Sequence, residues 1–203
     1  MDDIPCCTVE PAGTEGGRPV NIFLVSQGRD LLKALLRAGW SETPSSMDSA
    51  YRNVSGHFYG RAPDAIFRKG RSGSIDRVEL RLWLAPVRVS GEPLWVGQAN
   101  TVIGRYFDLG DRLFGIRLDP DVTEGRNFLL QDLLYAQSLR NWAWAETGIE
   151  VPYSTPHEDF AGRPWFTMDA YRLVIWVSGQ AISLAESSPI HWDAVRVRDG
   201  DPP

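Results

Sequence analysis

The strict alternation of Val78, Leu80, Leu82 and Leu84 with Glu79, Arg81 and Trp83 is the feature that most constrains this chain. A period of two puts one set on each face of a strand, so Arg77–Leu84 reads as a strand with an apolar face and a face carrying Glu79, Arg81 and Trp83. Ser90-Gly91-Glu92-Pro93 follows as a turn, and Leu94-Trp95-Val96-Gly97 begins a second strand running to Val102. Pro86 cannot donate to a ladder and marks a bulge or an edge. The chain must therefore build around an antiparallel hairpin.

The rest of the pattern adds helices to that sheet. Val20–Val25 is a short apolar run suited to a buried strand, and Leu31, Leu32, Leu35 and Leu36 recur at helical spacing before Gly39, which predicts a helix over Asp30–Ala38 with Ser26 or Asp30 as its cap. Ala65–Lys69 and Leu113–Leu118 extend the sheet. Asp119-Pro120-Asp121 is a helix start, with Asp to cap and Pro pre-set for the first turn. The spacing of Leu129, Leu130, Leu133, Leu134, Leu139, Trp142 and Trp144 carries that helix to about Glu146, before Gly148. Residues 148–164 hold Pro152, Pro156 and Pro164 and form a long loop, and Phe166 to Val177 is a last strand, with one more through Ile182. The fold class expected is α+β: a mixed, largely antiparallel sheet packed by a short N-terminal helix and one long helix. Residues 1–18, rich in Gly, Glu, Pro and Thr, read as a flexible arm; residues 19–195 form one domain and 196–203 a tail.

Composition narrows the function. Acidic side chains exceed basic ones by five over 203 residues, which argues against nucleic acid, since phosphate binding needs a net basic face. The two cysteines, Cys6 and Cys7, are adjacent and give neither a disulfide framework nor spaced zinc ligands. His57, His157 and His191 are widely separated, so neither a metal nor a cofactor is expected. Of the eight Trp, Trp83 and Trp95 on strands and Trp142 and Trp144 on a helix are read first as core. The N-terminus has no apolar run after Met1-Asp2-Asp3 and no stretch is long enough to span a bilayer, which predicts a cytoplasmic protein able to sit at the inner membrane's surface.

Positive charge gathers between Arg61 and Arg81, six basic against three acidic residues, while the remainder is strongly acidic. The run Arg68-Lys69-Gly70-Arg71-Ser72-Gly73-Ser74 can offer N–H and guanidinium donors to a phosphate or lipid headgroup. Arg68, Lys69, Arg71, Arg77, Arg81 and Trp83 are the candidate ligand-binding set. For catalysis the candidates are His157, Glu158 and Asp159 in the Pro-rich loop, with Asp169 on the strand behind it completing a carboxylate group. No nucleophile elbow, dinucleotide glycine pattern or phosphate-loop lysine is present.

Several stretches taken together are similar to the LssY C-terminal domain family: Pro19-Val20-Asn21, Leu32 through Ala38-Gly39-Trp40, Gly70-Arg71, Arg77 through Arg81-Leu82-Trp83, Leu94-Trp95-Val96-Gly97-Gln98-Ala99, and Leu118-Asp119-Pro120-Asp121-Val122 with Arg126. The resemblance covers roughly Pro19 to Trp144. It implies a bacterial domain of unassigned biochemistry, often attached to multi-pass membrane segments of the phosphatidic-acid phosphatase type 2 class, which carry the phosphatase chemistry themselves. The family pattern tends to place two consecutive His where this chain has Val78-Glu79, and another where it has Ile116-Arg117. That departure lowers the expectation of catalysis. The reading favoured is a non-catalytic accessory or recognition module for a protein or an anionic ligand, with a small hydrolase built on the 148–164 loop as the alternative and an oligomer through the 120–146 helix as a third.

Overall fold

The computed structural model describes residues 4–13, 16–43, 56–70, 77–108, 113–146, 148–191 and 197–198, with side chains of 106–115 and 197–198 left aside. In chain order the elements are β1 (Cys7–Val9), β2 (Gly16–Pro19), β3 (Ile22–Val25), α1 (Gly28–Arg37), β4 (Ser41–Glu42), β5 (Ala65–Gly70), β6 (Arg77–Val89), β7 (Glu92–Asp108) and β8 (Leu113–Leu118). They continue with α2 (Val122–Tyr135), β9 (Leu139–Ala145), β10 (His157–Glu158), β11 (Pro164–Trp165), β12 (Arg172–Val177), β13 (Ser188–Pro189) and β14 (Val197–Arg198). The main sheet runs β13-β9-β12-β3-β7-β6-β5-β4, with β14 added to β6 and β8 to β7. Its pairs are antiparallel apart from β12–β3 and β13–β9. The fold is α+β, as the sequence predicts.

The β6–β7 hairpin is its spine. Glu79 faces Asn100, Arg81 faces Gln98 and Trp83 faces Val96 across it, and the register breaks between Leu84 and Arg88, at the position where Pro86 withholds a donor. Ser90 (φ 52°) and Gly91 (φ 83°) make the turn, both left-handed as a tight hairpin requires. Period two then divides the core. Val78, Leu80 and Leu82 join Ile22, Leu24, Leu173 and Ile175 on the face covered by Leu31, Ala34 and Leu35 of α1 and Leu129 and Leu133 of α2. Trp83 and Ala85 join Phe23, Val25, Val96, Val174 and Trp176 on the opposite face, with Ile4 and Phe58 over them.

Both helices end in the same way. After α1, Gly39 (φ 81°) sends its N–H to the Leu36 carbonyl while the Trp40 N–H reaches Leu35. The cap at the other end is Gln27, without a side-chain hydrogen bond, rather than Ser26 or Asp30. Asp121 caps α2 by accepting from Thr123 N at 2.8 Å, so Asp119-Pro120 precede the helix rather than begin it. The long helix stops at Tyr135: Gln137 (φ 55°) takes the left-handed position, its N–H on Leu134 O, and Ser138 N–H bonds Leu133 O. Leu139, Trp142 and Trp144 therefore lie on β9, inside the sheet, and the oligomer surface expected along 120–146 is a helix followed by a paired strand.

Four further points differ from the sequence reading. Over its described part the N-terminal arm is packed, because β1 pairs with β2, Val9 exchanges backbone bonds with His57, and Ile4, Thr8 and Arg18 are buried. Cys6 and Cys7 are joined to each other by a disulfide. Phe166 to Tyr171 does not belong to the last strand, which begins at Arg172; Thr167 instead accepts from Val151 N and donates to Ile149 O. The stretch through Ile182 is not a strand.

Helix α2 lies so close to β7 that a Cβ at Gly125 would stand 2.9 Å from the Ala99 carbonyl oxygen and 3.2 Å from Asn100 N. Backbone cannot rotate away as a side chain can. Gly125→Ala should lower the unfolding free energy by about 1–3 kcal/mol, read as a fall in the urea midpoint at unchanged m; an unmoved midpoint would refute this docking.

Candidate functional site

The polar positions of β6 are not a wet face. Glu79 is 1% exposed and Arg81 2%. Arg81 donates from Nε (2.9 Å) and Nη2 (2.6 Å) to Glu79 Oε1, and Arg68 Nε donates to Oε2 at 3.0 Å. Burial pushes the Glu79 carboxyl up, but the two guanidiniums outweigh it and hold the group below its ordinary value. The next shell is amide: Gln98 Nε2 donates to the Arg18 and Pro19 carbonyls, and Asn100 Nδ2 donates to Gln98 Oε1.

Arg18 links this layer to the loop. Its Nη1 donates to Asp119 O (2.7 Å) and Asn100 Oδ1 (3.4 Å), its Nη2 to Pro164 O (2.9 Å), and its Nε lies 3.6 Å from Asp159 Oδ2. Burial lowers its pKa to about 10, with the Asp159 charge opposing. Asp159 itself accepts from Ala161 N, Arg163 N and Arg163 Nε. Carboxylates held by several fixed donors in this way orient the chain segments that supply those donors.

The structure brings some of the candidate residues together and sets others apart. Lys69 turns to the helix side, where its Nζ bonds Asp132 and the Ala38 carbonyl (2.5 Å), while the adjacent Arg68 reaches Glu79 on the other face. Arg77 starts β6, half-buried; Arg71 lies outside the described residues. Trp83 is fully buried beside Phe58, with its indole N–H on Arg61 O at 3.1 Å. His157 and Glu158 are exposed on β10, the imidazole edge-on to Trp165 at 5.2 Å. Asp169 is gripped by Arg126 through two 2.8 Å bonds, which hold its carboxyl below the ordinary carboxylate range. The loop acids and Asp169 have separate partners and separate places. Among the described residues no group of three His, Cys, Asp or Glu could hold a metal.

A groove that sequence reasoning missed lies at the far end of β6. Tyr59, Leu84, Pro86, Val87 and Pro93 line about 420 Å³, with Arg61 and Arg88 at its rim. Its shape comes from the bulge, which splays the end of the hairpin, and from Asp64 and Arg61, which close the strand edge: Leu84 N donates to Asp64 Oδ2 (2.7 Å) and Arg61 Nη2 to Leu84 O (2.5 Å). Arg61 is itself paired with Asp64 at 2.7 Å. Arg88 bonds the Gly91 carbonyl at 3.1 Å, and no carboxylate pairs with it among the described residues. The only local sign of the groove is the lapse of alternation through Leu84-Ala85-Pro86-Val87; Tyr59 and Arg61 come from a distant segment.

No curated protein and no solved structure matches the chain. One family model does, that of the LssY C-terminus, over residues 54–169. The matched region holds the β6–β7 spine, Glu79 with its two arginines, the groove, and the Arg126–Asp169 pair, and leaves out Arg18 and the N-terminal hairpin. It also spans more than half of the sequence, so this chain belongs to the LssY C-terminus family.

Proposed function

We propose that this domain is a non-catalytic recognition module whose groove between Tyr59 and the β6 bulge takes an anionic ligand with an apolar body, of the phosphate or lipid-headgroup class. The observation that carries the reading is the pairing of an apolar floor with the Arg88 guanidinium, which holds a backbone carbonyl and no described carboxylate. A volume near 420 Å³ is ordinary for a small-ligand site. A guanidinium at the rim supplies two parallel donors to a phosphate oxygen pair, and Leu84, Pro86 and Val87 cover the attached carbon chain. The anionic ligand thus moves from the Arg68–Arg71 turn, where Arg68 is engaged by Glu79, to the opposite end of the same strand. Service to a membrane-associated protein, as an accessory domain, follows from the same preference.

Vesicles of phosphatidylcholine with and without phosphatidic acid test this. The wild type should sediment with the acidic vesicles alone, and Arg88→Ala should lower the bound fraction about tenfold, the worth of one charge-assisted contact. Arg68→Ala should lose stability while its folded fraction still binds. Competition by inorganic phosphate separates headgroup recognition from recognition of the whole lipid. Equal binding to neutral vesicles, or an Arg88→Ala protein that binds like the parent, would sink the proposal.

A further inference from the structure

The Cys6–Cys7 disulfide joins neighbours in sequence, and these are the only cysteines of the chain. A cross-link stabilises a fold mainly by closing a loop of the unfolded chain, and this one encloses no loop. Its effect is confined to the backbone it constrains. That backbone is the hinge between two anchors of the N-terminal strap.

On one side stands Arg172, 2% exposed, its guanidinium 5.2 Å from the Phe23 ring centre. It donates to Pro5 O at 3.0 Å and to Ile4 O at 3.4 Å, no carboxylate pairs with it among the described residues, and its buried Nε has no hydrogen-bond partner. Burial lowers it to about 10. A cation so placed depends on those two carbonyls, since an uncompensated buried charge is costly. On the other side Val20 N donates to Cys6 O at 2.8 Å, Cys7 pairs with Pro19, and Thr8 Oγ1 bonds Arg18 O at 3.1 Å. Thr8 is wedged between Gly17 and Gly56, where a Cβ on either glycine would collide with it. Both cysteines remain partly exposed, within reach of a thiol.

We propose that Cys6–Cys7 is a redox modification site whose reaction partner is a dithiol, and that its reduction releases the strap from Arg172. A thiolate of the dithiol attacks one sulfur, breaking the Cys6–Cys7 bond and forming a mixed disulfide; the dithiol's second thiolate then displaces the remaining cysteine thiolate and closes its own disulfide. Two electrons and two protons pass to the protein, which ends with two thiols. The freed peptide no longer fixes the direction of the Ile4 and Pro5 carbonyls relative to the β1–β2 ladder. Arg172 then gains water in their place, while the β6–β7 spine, held by its own ladder, stays closed.

The experiment uses the whole chain, oxidised with diamide and then treated with dithiothreitol. Thiol alkylation read by intact mass should count no reactive thiol in the oxidised monomer and two after reduction. Amide exchange of the peptide covering residues 4–9 should rise about tenfold on reduction, with β6 and β7 peptides unchanged. A Cys6→Ser, Cys7→Ser double variant should exchange fast in both conditions. Two free thiols in the oxidised monomer, equal exchange in the two states, or acceleration throughout the sheet would each overturn the proposal, whether or not the double variant folds.

Discussion

Glu79→Gln should lower the unfolding free energy by about 3–5 kcal/mol, a large part of what a domain of this size possesses. The substitution keeps the shape and removes the charge that Arg81 meets at 2.6 Å and Arg68 at 3.0 Å. Arg81, 2% exposed, would then lose the carboxylate charge that its Nε and Nη2 both address. Because the folded Glu79 pKa is depressed, its contribution is present above the unfolded value of about 4.3 and is lost as pH falls through the lower folded value. The gap between wild type and Glu79→Gln in urea melts should therefore be full at pH 7 and narrow below about pH 4. Replacing Glu79 and Arg81 together by Met should recover much of the loss, since an apolar pair has no charge to strand. A Glu79→Gln protein as stable as wild type would show that the pair is not the keystone of this layer.

Trp83→Ala should be as damaging, about 3–5 kcal/mol, and for an unrelated reason. Its side chain is fully buried between Phe58 and the apolar end of the β6 face, and truncation leaves a void that a sheet anchored on both sides cannot close. Trp83→Phe should cost less, about 1–2 kcal/mol, from the smaller ring and the loss of the bond to Arg61 O. Guanidinium melts would separate the two variants. A Trp83→Ala protein that melted with the wild type would show that the core closes around the smaller side chain.

Period two in β6 and β7 was plain in the sequence because a strand buried on one face by leucines cannot slip register without exposing them. Because Arg68 and Lys69 are adjacent on a strand, the same period sends them to opposite faces, Arg68 to Glu79 and Lys69 to Asp132. The end of α2 was hidden for a local reason: helices are read as ending at Gly or Asn, and here Gln137 adopts the left-handed turn that those residues favour. Leu139, Trp142 and Trp144 then continue a pattern that suits either a helix or a strand. Arg18 was hidden for a long-range reason. Its segment has the composition of an arm, and its burial depends on carbonyls at Asp119 and Pro164 that no local window contains. Asp159 and Asp169 were visible as acids, whereas their partners, Arg18 and Arg163 for the first and Arg126 for the second, were not.

The central place of β3 sets the order in which this chain can be completed. Ile22–Val25 is paired on one side with Leu94–Gly97 and on the other, in parallel, with Leu173–Trp176. The hairpin of β6 and β7 closes locally and early, whereas β12, the other neighbour of β3, is synthesised long after β3 itself. Until then β3, whose four residues Ile22, Phe23, Leu24 and Val25 are all apolar, keeps an open edge. During its synthesis the chain is therefore most vulnerable to aggregation through β3, and arrival of the last long strand ends that exposure.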